Sequence, residues 1–170
     1  MKKTGFVYLF LVLSVILTGC TISYKFNGAS IDYTKVKTIC IKDFPNQAPL
    51  VYPPLAQQFT EGVKDIYVRQ TRLSLVRDNG DLELEGEITG YDLTPMAVKE
   101  DAYSSQTKLT ITVKVRYTNR TNAYEDFEQS FSAYREFDSN VMLQDVQDQL
   151  CSEIIEELAD QIYNSTVANW

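Results

Sequence analysis

Apolar positions along this 170-residue chain follow three rhythms. A continuous run from Phe6 to Leu17 is preceded by Lys2 and Lys3 and followed by Gly19 and Cys20. That run is too short for a bilayer core of about 30 Å. A basic start, an apolar stretch and a small-residue cut are the marks of an export signal. A period near 3.6 then appears twice. Leu55, Phe59, Val63 and Ile66 predict an amphipathic helix ending near Gln70, with Pro53 and Pro54 suited to its start. Leu143, Val146, Leu150, Ile154, Leu158 and Ile162 predict a second helix over Val141 to Tyr163. Asp138-Ser139-Asn140 offers caps for it.

A period of two fills the space between the helices. Val36 to Lys42 is a β-branched run and predicts a first strand. Asp43 to Pro54 holds four of the five prolines and reads as a loop. Leu73 to Arg77 predicts a short strand, and Asn79-Gly80 predicts a hairpin turn with positive φ at both positions. Leu82, Leu84 and Ile88 alternate with Glu83, Glu85 and Glu87, so this strand has one wet side and runs to about Pro95. Gly86 and Gly90 mark a bulge or a close backbone approach. Met96 to Gln106 is a polar loop. Leu109 to Tyr117 alternates most clearly of all, Thr118 to Asn122 turns the chain back, and Tyr124 to Phe137 is extended, with Phe127 and Phe131 inward. The order implies an α+β, two-layer sandwich: a mixed, mostly antiparallel sheet with two helices on one face. The first strand, helix and next strand then form a right-handed crossover.

Composition narrows the chemistry. No histidine is present, which removes His-based nucleophilic and acid–base catalysis and most zinc and haem ligation. No Gly-rich phosphate loop or Gly-x-Ser-x-Gly motif occurs. Glu83, Glu85 and Glu87 offer a carboxylate pair for glycoside hydrolysis, or simply a solvated strand face. The chain has 16 basic and 23 acidic residues, net −7, a poor balance for nucleic acid. Residues 121–170 hold one basic and eleven acidic groups, as an acidic solvated helix face would. Cys40 and Cys151 form one disulfide or stay as two buried thiols.

Leu17-Thr18-Gly19-Cys20 resembles the lipobox of bacterial lipoproteins. That resemblance implies a diacylglycerol on the Cys20 sulfur, removal of residues 1–19 and acylation of the new amino terminus. Two or more chains anchor a protein stably where one does not. Residues 20–34 are then an acylated tether, and 35–170 a single domain.

The remainder resembles the LptE family of lipopolysaccharide-assembly lipoproteins. The likeness rests on Cys20, Tyr24-Lys25-Phe26-Asn27-Gly28, the Val36 to Lys42 strand and Asn46-Gln47-Ala48-Pro49-Leu50. It continues through the Asp81 to Thr89 and Leu109 to Tyr117 strands, the aromatic strand ending Phe131 to Phe137, and the last helix. The resemblance implies a non-enzymatic outer-membrane part with no cofactor or metal and no nucleic-acid partner. Its partners would be the β-barrel LptD, which it plugs and helps assemble, lipopolysaccharide, and the membrane through its N-terminal lipid. The domain would face the periplasm or a barrel lumen. Basic residues near the sheet ends are the lipid contacts the family implies, and Lys99, Lys108, Lys114 and Arg116 are the candidates here. Lys114 and Arg116 point the same way, but the three glutamates could neutralise them across the sheet. This chain departs from the expectation beyond Arg135, where no basic residue follows. An envelope scaffold that recruits some other complex is the alternative reading.

Overall fold

The computed structural model describes residues 31–50, 52–96 and 105–167. Its elements are β1 (Thr38–Ile41), α1 (Leu55–Gln70), β2 (Ser74–Val76), β3 (Leu82–Pro95), β4 (Gln106–Asn119), β5 (Phe127–Asp138) and α2 (Leu143–Thr166). A 3-10 turn at Ala123–Glu125 precedes β5. The five strands form one sheet in the order β2-β1-β3-β4-β5. β1 is parallel to both β2 and β3, while β3, β4 and β5 form an antiparallel meander. The α+β sandwich is as the pattern predicts.

Alternation decides which side of each strand is dry. Ile39, Leu84, Ile88, Val113 and Val115 join Leu55, Phe59, Val63, Ile154, Leu158 and Ile162 in one cluster, all at 0% exposure. Burial of each such side chain contributes about 1.5–3 kcal/mol. A register shift between Ile88 and Gly90 leaves Thr89 unpaired. This bulge is why Ile88 and Tyr91, three apart, are both in the core. Gly86 is the close approach: a β-carbon there would lie 2.1 Å from the Lys114 carbonyl oxygen and 2.7 Å from the Phe44 ring.

The helices run in the same direction. Tyr52 is bonded to Asp148, Gly62 faces Ile155, and the Tyr67 hydroxyl shares a 2.5 Å hydrogen bond with Thr166. Both N-termini therefore sit at one end, beside Tyr91 of β3, whose hydroxyl accepts from Gln147 at 2.6 Å.

Two expectations are corrected. Asn79-Gly80 does not close a hairpin, because β1 lies between β2 and β3 and claims an edge of each. Only Asn79 has positive φ, 56°. Gly80 serves a different need: a β-carbon there would lie 2.6 Å from the Cys40 nitrogen and 3.0 Å from the Ile39 carbonyl carbon. The chain crosses directly over β1 at this point. Asp81 fastens the crossing, accepting from the Lys37 amide at 2.8 Å, the Thr38 amide at 3.0 Å and the Thr38 hydroxyl at 2.9 Å. The second correction is the start of α2. Asp138 accepts from the Asn140 amide at 2.9 Å in a turn of its own, and the helix begins later, after Met142, with no side-chain cap.

Candidate functional site

The helix-free face of the sheet carries Lys114 and Arg116, two of the four basic residues expected to meet an anionic lipid. Lys114 and Arg116 are two apart on β4, so both project there, flanked by β3 and β5. The register sets Arg116 between Glu85 and Glu128. Its guanidinium bonds Glu85 at 3.1 Å and Glu128 at 3.0 Å. Lys114 reaches the other Glu128 oxygen at 2.5 Å. Arg120, just past β4, bonds Glu83 at 2.8 Å. The Lys114 and Arg116 bonds hold the Glu128 carboxyl below its ordinary value, and Glu128 first, then Glu85, pushes Arg116 up. Lys114, Arg116, Glu85 and Glu128 line a shallow depression of about 340 Å³ together with Lys42 and Glu87.

The structure thus brings Lys114 and Arg116 together but sets Lys108 apart. Six residues up the same strand is about 20 Å, and its ammonium lies 5.3 Å from the Tyr134 ring centroid. Lys99 and Cys20 lie outside the described residues. Between Lys108 and Lys114 the face is hydroxyl-rich, with Thr112 donating to Ser132 at 3.3 Å. The glutamates of β3 are on this open face rather than in a shielded cleft. Glu85 is 43% exposed and bound to a guanidinium, a surface ion pair and not the carboxylate pair of a glycosidase.

Sequence reading missed Glu128, the counter-ion that Lys114 and Arg116 share. Its role depends on the β4–β5 register, which no local pattern carries. Lys42 was missed for the same reason: it follows β1 and reaches this face only because β1 is internal to the sheet.

The cysteines stand on opposite sides of the sheet and both are free. Cys40 is buried beneath the crossing, its thiol donating to the Arg77 carbonyl at 3.1 Å. Cys151 is in the helix-side core, where burial pushes its thiol up to about 11. Among the described residues no helix is long and apolar enough to cross a membrane, and no group of three or more acidic or cysteine side chains gathers that could hold a metal ion.

Three solved structures share the fold. A minor lipoprotein from Acinetobacter baumannii is 16% identical, covering 79% of this chain and 94% of its own, with a TM-score of 0.52. Rare lipoprotein B from Shewanella oneidensis is 12% identical over 76% of this chain and 92% of its own, TM-score 0.55. The hypothetical protein CT253 from Chlamydia trachomatis is 9% identical over 79% of this chain and 99% of its own, TM-score 0.50. No curated protein sequence matches. The family model for LptE, lipopolysaccharide-assembly, matches residues 36–166, from the residues just before β1 to the last residue of α2. On that match the chain belongs to the LptE family of lipopolysaccharide-assembly proteins.

Proposed function

We propose that this protein is an outer-membrane lipoprotein, acylated at Cys20, that plugs the LptD β-barrel, helps it assemble, and assists insertion of lipopolysaccharide into the outer leaflet. Membership of the family gives the role in lipopolysaccharide assembly, and the family is a non-enzymatic one, which supports a non-enzymatic reading here. The observation that carries the finer reading is the extent of the match: it spans every strand and both helices of the described residues. The open sheet face supports it as well. Large barrel lumens are polar, and this face offers hydroxyls and ion pairs that suit such a lumen.

Affinity purification from gently solubilised membranes tests the reading. A large outer-membrane barrel protein should be recovered with the tagged chain. Its reproducible absence would favour a scaffold serving another envelope complex. Lipopolysaccharide contact belongs to the same proposal, through Lys114 and Arg116 with Lys108 and Lys99. There a phosphate would have to displace Glu128 from the guanidinium, and Arg is well suited to such bidentate exchange.

A further inference from the structure

We propose that the outer edge of β5 is a strand-addition site for an extended segment of a partner protein, one carrying basic residues at alternate positions. β5 pairs with β4 alone among the described residues. An edge strand presents a row of unpaired amides and carbonyls, and proteins blunt such edges with short strands, prolines, bulges or guarding charges. The opposite edge is blunted, since β2 is three residues long. β5 is twelve residues long, contains neither Pro nor Gly, and keeps an unbroken register with β4. Two of its charges, Glu128 and Arg135, are drawn off the edge, and the other two, Glu136 and Asp138, stand at its end. Glu128 is held by Lys114 and Arg116 of β4, and Arg135 rises to Glu153 at 3.0 Å and Glu157 at 2.6 Å on α2. Tyr134 is drawn toward Lys108 of β4. The middle of the edge, Gln129-Ser130-Phe131-Ser132-Ala133, carries no charge.

What lies above that edge selects the partner. α2 overhangs it with a concavity of about 490 Å³, lined by Arg135, Glu153, Glu156, Glu157, Asp160 and Gln161. Four carboxylates face one guanidinium, which Glu153 and Glu157 already hold. Side chains of an added strand alternate between the two sheet faces. Those on the helix side rise into the acidic concavity, and lysine or arginine there would meet Glu156 and Asp160. A second copy of this chain fits poorly: pairing β5 with itself about a two-fold axis sets the acidic flank of α2 against its own copy, in a chain of net charge −7. The inference does not depend on barrel plugging, because a closed barrel wall has no free edge to offer.

The test uses the purified full-length lipoprotein in detergent with two synthetic ten-residue peptides, (Lys-Thr)5 and (Glu-Thr)5, read by amide hydrogen exchange. The lysine peptide should slow exchange of the edge-facing β5 amides at least tenfold, in a salt-sensitive manner, and the glutamate peptide should not. Glu156→Lys with Asp160→Lys, both on the helix surface, should weaken the lysine peptide at least tenfold while leaving the melting temperature unchanged. Peptide binding without β5 protection would overturn the proposal, as would equal affinity in the double variant. Protection of β5 that rises with protein concentration in the absence of peptide would show that a second copy is the occupant instead.

Discussion

Gly86 and Gly62 both stand where a β-carbon has no room, yet the obstacles differ in kind. At Gly86 the obstacle is the Lys114 carbonyl, 2.1 Å away, in the middle of the β3–β4 ladder. Backbone there cannot yield without breaking sheet pairing, so Gly86→Ala should cost about 3 kcal/mol or more in urea unfolding. At Gly62 the obstacle is a methyl of Ile155, 2.7 Å away, at the end of a side chain that can rotate. Alanine also gains about 1 kcal/mol of helix propensity, so Gly62→Ala should fall within about 1 kcal/mol of the parent by the same measurement. Asp81 makes a prediction in pH. The Lys37 amide first, then Thr38, holds its carboxyl below the ordinary 3.8. The folded state favours the ionised form, so its stabilisation is complete above about pH 4 and is lost as pH falls through the lower folded value. Asp81→Asn should therefore be less stable than the parent near neutrality, with the gap closing below about pH 4 in thermal melts followed across pH.

At the scale of elements, the open face poses a question that a double substitution answers. Lys114 and Arg116 are 48% and 58% exposed, and exposed ion pairs stabilise little. Lys114→Ser with Arg116→Ser should leave the melting temperature within a few degrees while weakening lipopolysaccharide binding, more so at low salt. Unchanged binding with a clearly lowered melting temperature would mean that the pair only braces the sheet. The elements differ in how far the sequence betrays them. α1 is legible to its ends, because Pro54 opens it and apolar spacings of four, four and three run to Ile66. The shared face of Lys114 and Arg116 is equally legible, since alternation is a local property. The Asn79-Gly80 turn misleads because turn residues report local backbone freedom and not which strand occupies the neighbouring edge. Here a β1 strand from forty residues earlier takes that edge, and glycine is required for the crossing. Glu128 was hidden for the same reason, since partners across a ladder are set by register.

The whole molecule is a sandwich with two distinct ends. Residues 31–36 enter beside Tyr117, Thr166 and Val167, which share one cavity wall, while both helix N-termini lie at the far end. A lipid on Cys20 would thus tether the end where the helices finish. Metabolic labelling with an acyl precursor should mark the parent chain and not Cys20→Ala; equal labelling of the two would remove the anchor from the proposal. Placement of β1 has a further consequence, for how the chain is made. Its neighbours, β2 and β3, both come later in sequence, with Ile41 opposite Leu84. The β3–β4–β5 meander joins consecutive strands, and such local pairing is quick compared with pairing across long separations. A chain delivered N-terminus first therefore presents Thr38–Ile41 with nothing to pair against until Ser74–Val76 has emerged, and with its other edge open until the residues to Leu84 follow. The first strand synthesised is among the last to be seated, between two edges and beneath the Asp78–Asp81 crossing. Until then its Ile-Cys-Ile run is a segment that a holding chaperone would find uncovered.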